Sequence, residues 1–170
     1  MFARLRLRAT LRRADRSGVR RVCELVNRTN QWNLAGSRTT LREVGEWVAS
    51  PDHTVLQVQV DDRFGPMGTV CVAVVRHHPE YLEIPVFVLS CRVFGFGIET
   101  LVLDRLRQLA TRRLGTPRLR ARLVPTEHNA PCRAMYAEHG YVPEGDDWIY
   151  VGRPDETPLP PWLTVVGGID

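Results

Sequence analysis

The segment Leu89-Ser90-Cys91-Arg92-Val93-Phe94-Gly95-Phe96-Gly97-Ile98-Glu99 decides how the rest of the chain is read. An unbroken apolar run, Val86 to Leu89, leads into it. Ile98, Leu101, Val102, Leu106, Leu109 and Ala110 follow at helical spacing as far as Gly115. This predicts a central strand over 81–93 covered on both faces, a glycine turn, and a long helix. Glycines at 95 and 97 remove the side chains that would hold an anion away from the backbone N–H groups. The helix start adds unpaired donors and about half a positive charge, so a pyrophosphate fits there, with Arg92 just upstream. A dinucleotide fingerprint would need a third glycine where Thr100 stands, and a P-loop would need a lysine, of which the chain has none.

Outward from this segment the elements alternate. Leu5, Leu7 and Ala9 alternate with Arg4, Arg6 and Arg8, the period of a half-buried first strand. Asp15 and Ser17 open a helix with Val19, Val22, Leu25 and Val26 on one face. A polar stretch, Asn27 to Thr39, precedes a second helix capped by Thr40 and ended at Ser50-Pro51. Strands are expected over 53–60 and 67–75, and again after Pro117, where Leu119, Ala121 and Leu123 alternate with arginines. Asn129 is expected to cap a short helix carrying Met135 and Tyr136, and 147–153 to form the last strand. The order β-α-α-β-β-β-α-β-α-β implies a mixed α/β sandwich, one domain over 1–153 with a proline-rich arm over 154–170. Part of that arm, Leu159 to Val166, is suited to adding to a neighbour's sheet edge.

Composition bounds the function. The 170 residues, 44% hydrophobic and 25% charged, build a core of one domain without disulfides or a structural metal. No apolar run reaches the roughly 20 residues of a membrane helix. Cys23, Cys71, Cys91 and Cys132 lack metal-ligand spacing, and His77-His78-Pro79 has no third ligand nearby, so no metal is expected. All 23 basic residues are arginine, which reads mainly as the codon usage of a GC-rich bacterium, with Arg92 as the functional exception. Nucleic acid is disfavoured, because the arginines lack interleaved aromatics. The face Arg4, Arg6, Arg8, Arg12 and Arg13, with a net charge of +4, suits an acidic protein partner.

Arg92-x-x-Gly95-x-Gly97 between a strand and a helix resembles the acyl-CoA-binding loop of the GNAT acyltransferase superfamily, Gln/Arg-x-x-Gly-x-Gly/Ala, and Asn129 with Tyr136 resembles its second signature. The resemblance implies a mixed, mostly antiparallel central sheet flanked by helices and splayed between strands 4 and 5, where a pantetheine arm pairs with strand 4. It implies coenzyme A or acyl-CoA, or the phosphopantetheine of an acyl carrier protein, on Arg92, Val93, Phe94, Gly95, Phe96, Gly97 and Asn129, with Tyr136 near the leaving sulfur as an acid. Three further stretches, 28–34, 90–92 and 125–131, resemble the C-terminal domain of FkbH-like proteins, which load a glyceryl unit onto acyl carrier protein in polyketide pathways. In those proteins a HAD-type phosphatase domain precedes this one. This chain starts at its own methionine without it, so either a separate HAD protein cooperates, in the cytoplasm, or the donor is an ordinary acyl-CoA or acyl carrier protein.

Within that frame Cys91 has two readings: a nucleophile that carries the acyl group between thiols, or a small buried hydrophobe at a strand end. His128, beside Glu127, is the candidate for proton transfer near neutrality, against an exposed loop histidine. Asn30, Gln31 and Asn33 are the candidates to hold the substrate. The expected activity is acyl transfer between thioesters. The alternatives are N-acylation of a small-molecule amine from acetyl-CoA, or a non-catalytic module that binds a carrier protein.

Overall fold

The computed structural model describes residues 2–152 and 158–169. Its sheet has eight strands in the order β6-β7-β5-β4-β3-β2-β1-β8. In chain order they are β1 (Leu7–Arg13), β2 (His53–Asp62), β3 (Gly65–His77), β4 (Leu82–Leu89), β5 (Leu119–Arg122), β6 (Tyr141–Glu144), β7 (Asp147–Tyr150) and β8 (Leu163–Gly167). All neighbours are antiparallel except β4 with β5 and β1 with β8. Helices α1 (Val19–Arg28), α2 (Leu41–Ala49), α3 (Ile98–Leu114) and the single turn α4 (Met135–Glu138) complete the fold.

Alternation in the strands explains the layers. Val72 and Val74 of β3 and Val86 and Val88 of β4 join Val22, Val26 and Val44 of α1 and α2 in one cluster. Their neighbours in sequence, Cys71, Ala73, Phe87 and Leu89, join Leu101, Leu106, Met135 and Tyr136 of α3 and α4 in the other. Thr40 forms a capping box with Glu43 at the start of α2, and the Asp15 carboxylate, accepting from the N–H groups of Ser17 and Gly18, caps the 3₁₀ turn Arg16–Gly18 that leads into α1. A bulge in β4 lies where Val74↔Val86 gives way to Arg76↔Glu83. The extra residue falls beside Pro85, which has no N–H to lose.

Four expectations change. The strand expected over 81–93 stops at Leu89. There Ser90 N–H donates to Val70 O at 2.7 Å and the Ser90 side chain caps a 3₁₀ turn, Cys91–Val93. Cys91 is therefore an exposed turn residue and not a buried strand end. The last strand is one arm of a hairpin, β6–β7, turned at Gly145 with φ +62°. Its expected end, Arg153, and the start of the arm, 154–157, lie outside the described residues. Finally, the segment suited to a neighbour's sheet edge instead extends this chain's own sheet: β8 runs parallel to β1 from Leu7↔Leu163 to Leu11↔Gly167.

Candidate active site

The turn after β4 faces α1 across a cavity of about 540 Å³. Helix α1 contributes Arg21, Leu25 and Arg28, an i, i+4, i+7 stripe, and the loop after it contributes Thr29, Asn30, Gln31 and Trp32. The opposite wall is Leu89, Ser90, Cys91 and Arg92, with Phe94 behind them. The Trp32 and Phe94 rings meet at 5.0 Å, tilted by 54°. Arg92 Nε donates to Ser90 Oγ at 3.2 Å, which holds the side chain at the turn. Arg21 donates to Thr69 O at 3.3 Å and pairs with Glu24 at 3.5 Å. Cys91 stands exposed at the rim, whereas burial pushes the Cys132 thiol up to about 11 and raises Cys71 further.

The glycine turn has the conformation expected of an anion loop. Gly95 and Gly97 both have φ +81°, and Leu101 N–H already donates to Gly97 O, which starts α3. Space beside Gly95 is open. Gly97 is covered: a β-carbon built there would lie 2.3 Å from Pro160 Cγ, and Trp162 Nε1 donates to Phe96 O at 3.2 Å. Val93 is buried, and Phe94 and Phe96 are half-buried. The C-terminal segment thus lies across this turn on its way to β8.

Part of the β4 edge expected to receive a pantetheine arm pairs with the chain's own α1–α2 loop. β4 and β5 pair only from Leu82↔Leu119 to Ile84↔Ala121. Beyond the bulge the α1–α2 loop enters: Leu34 N–H donates to Phe87 O at 3.1 Å, Leu89 N–H to Trp32 O at 3.0 Å, and Val124 N–H to Leu34 O at 2.8 Å. Asn33 is buried in that bridge, and its amide holds Thr29 O and Ser37 O while its carbonyl accepts from Ser37 N–H. Asn129, fully buried, donates to Asn33 O at 3.0 Å and Val124 O at 2.9 Å and accepts from Thr126 N–H at 2.9 Å. Both asparagines fasten the bridge. Asn33 has no access to the cavity, and Asn129 neither caps its helix by its side chain nor reaches the glycine turn. Phe87 O and Leu89 N–H of β4, on the edge that the resemblance assigns to a pantetheine arm, are therefore bonded to this loop.

The proposed acid and base lie elsewhere. Tyr136 is fully buried, its ring 5.1 Å from Tyr141, and its hydroxyl has no hydrogen-bond partner among the described residues. Burial holds that phenol well above its ordinary range. Glu99 is largely buried too, and burial raises its carboxyl. His128 is exposed, 3.2 Å from the still more exposed Glu127, and neither lines the cavity. Of the expected residues, the cavity brings together Asn30, Gln31, Cys91, Arg92 and Phe94. Arg21, Leu25, Arg28 and Ser90 are added; the first three were readable as one helical stripe. Among the described residues no group of three His, Cys, Asp or Glu side chains is placed to hold a metal ion, and no helix is long and apolar enough to cross a membrane.

No protein-family model matches the sequence, and no curated protein matches it. Solved structures do. The PaiA N-acetyltransferase from Thermoplasma acidophilum, in complex with coenzyme A, superposes with a TM-score of 0.60 at 14% identity, over 83% of this chain and 96% of that one. The GNAT domain of PAT from S. lividans gives 0.61 at 14% identity, over 82% and 86%. The chain has the GNAT fold. An aminoglycoside acetyltransferase in complex with coenzyme A and kanamycin also has it, with a TM-score of 0.59 at 16% identity, over 83% and 93%. Identity this low carries the GNAT architecture to this chain, and not the substrates.

Proposed function

We propose that the chain is an acyltransferase that moves a small acyl group from a phosphopantetheine-type thioester to an acceptor held in the α1–β4 cavity. One observation carries the reading: Arg92 and Phe94 belong both to the cavity wall and to the turn that continues into Gly95 and Gly97. An acceptor in the cavity and an anionic donor on the turn would be neighbours. The fold supports it, since PaiA and the aminoglycoside enzyme are acetyltransferases, each solved in complex with coenzyme A. Direct transfer to an amine is the first form of the proposal, the form in which PaiA is named.

The exposure of Cys91 at the rim favours a second form. There the Cys91 thiolate attacks the donor thioester carbonyl, a new C–S bond forms, and the donor sulfur leaves and takes up a proton. The acyl group then passes from Cys91 to the acceptor and the thiol is restored. An acyl carrier protein is the proposed alternative donor, docking on the exposed arginines 4, 6, 8, 12 and 13. A glyceryl or similar hydroxyacyl unit, a cooperating HAD-type protein and a cytoplasmic role in polyketide-type biosynthesis complete the proposal; these rest on the sequence resemblance.

The test is incubation with a panel of acyl-CoAs and acyl carrier proteins plus amine acceptors, reading intact protein mass and thiol release. Direct transfer predicts turnover that survives Cys91→Ala. The relay predicts an acyl adduct that Cys91→Ala abolishes together with turnover. Neither adduct nor turnover with any donor would sink the proposal.

A further inference from the structure

We infer that the cavity between α1 and the Cys91 turn is an anion site, so that the ligand it takes carries a carboxylate or phosphate and is not a polyamine. That the cavity's ligand is the acyl acceptor rests on the acyltransfer reading above; the anion-binding chemistry does not.

Charge is the first observation. Arg21, Arg28 and Arg92 line the cavity, and no aspartate or glutamate does. Arg21 is partly neutralised by Glu24 and tethered to Thr69 O. Arg28 and Arg92 have no acidic partner among the described residues, although the chain pairs its arginines elsewhere, as in Arg42 with Glu46 and Arg76 with Glu83. Two uncompensated guanidinium groups on facing walls repel a polycation and offer forked N–H donors to an oxyanion.

The neutral groups agree. Asn30 Oδ1 accepts from Arg38, which leaves the Asn30 amide N–H₂ as a donor, and Gln31 and Ser90 complete a lining that can donate. The other anion-binding feature, the glycine turn, is partly covered by Pro160, whereas this cavity is open. An anionic group could come from the acceptor or from the donor's own phosphates, and the test separates them.

The full chain is titrated at low salt with inorganic pyrophosphate, citrate and spermidine, following backbone amide and arginine Nε–H resonances; no turnover is needed, so failure of the acyltransfer reading leaves this result standing. Pyrophosphate and citrate are expected to shift Ser90, Cys91, Arg92 and residues 29–32, and spermidine is not. Arg28→Gln and Arg92→Gln are each expected to weaken anion binding about tenfold, while Arg42→Gln on α2 leaves it unchanged. Rising NaCl should weaken it further. Displacement of citrate by coenzyme A would support the site and assign it to the donor's phosphates. Coenzyme A binding alongside citrate would support it and assign the anion to the acceptor. No shift with either anion, shifts confined to Gly95–Glu99, equal binding of spermidine, or indifference to both glutamine variants would each overturn the inference.

Discussion

Pro160 rests against Gly97 so closely that a β-carbon on the glycine would lie 2.3 Å from the proline Cγ. Two costs therefore meet in Gly97→Ala: an alanine forced to φ +81° and a collision with the C-terminal segment. Gly95 shares the same φ but has open space around it. We expect Gly95→Ala to cost about 1–2 kcal/mol from backbone strain alone, and Gly97→Ala about 1–3 kcal/mol more from the clash. Urea unfolding of the two variants checks the difference. Pro160→Gly should recover part of the loss in Gly97→Ala and none in Gly95→Ala; recovery in both would mean the contact is not the cause.

Asn129 joins Asn33 and Val124, and through them fastens the α1–α2 loop between β4 and β5. Asn129→Ala leaves Asn33 O, Val124 O and Thr126 N–H without their buried partner. Each is costly to leave unmade, so a loss of about 3 kcal/mol is expected. Hydrogen exchange gives the sharper readout: Leu34, Leu89 and Val124 amides, which form the bridge, should lose protection before those of β2 and β3. Uniform loss across the sheet would show that Asn129 supports the whole fold and not the bridge.

Local chemistry in the sequence accounts for the elements whose place is legible there. Leu7 and Ala9 alternate with exposed Arg8 in β1, although Arg4 and Leu5 of the expected strand form a 3₁₀ turn and Arg6, at φ +50°, precedes the strand; α3 begins where Gly97 ends the turn, and Thr40 caps α2. What escaped depends on contacts between distant residues. The polar stretch 27–39 has no period, so nothing local shows Leu34 completing the sheet between Phe87 and Val124. The polarity of Asn33 and the resemblance that singles out Asn129 point to ligand binding, yet both side chains serve backbone groups. β8 was hidden because an edge-pairing segment does not disclose which edge it meets, and here it is β1 of the same chain. The cavity is half legible: Asn30, Gln31, Cys91 and Arg92 follow from motifs, while Arg21 and Arg28 form a helical stripe whose place on the cavity depends on where α1 packs.

Thiol reactivity follows directly from burial. Cys71 and Cys132 are almost wholly enclosed, Cys23 is 8% exposed, and Cys91 is exposed. A disulfide reagent such as DTNB should titrate one thiol in the native protein and four in denaturant, with the native reaction on the order of a hundredfold faster than the next. Cys91→Ala should remove the fast phase and leave the unfolding midpoint nearly unchanged. A fast phase that persists in this variant would place the reactive thiol elsewhere.

His77 gives a pH dependence at the opposite end of the sheet from the cavity. Its Nε2 lies 2.9 Å from Thr54 Oγ1 and its Nδ1 against the Arg113 guanidinium, so the ring accepts from Arg113 and donates to Thr54. Burial first, then the Arg113 and Arg13 charges, lower its pKa to about 4. The unfolded chain, with an ordinary value of ~6.5, therefore binds more protons than the native state between these two values. The contribution of neutral His77 is present above pH ~6.5 and is lost as pH falls toward 4. His53, lowered mainly by burial, acts in the same direction. Chemical denaturation at pH 7 and pH 4.5 should show His77→Gln less stable than wild type at pH 7 and the gap narrowed or reversed at pH 4.5. A gap that stays constant between the two would show that proton uptake at this ring does not drive the acid loss.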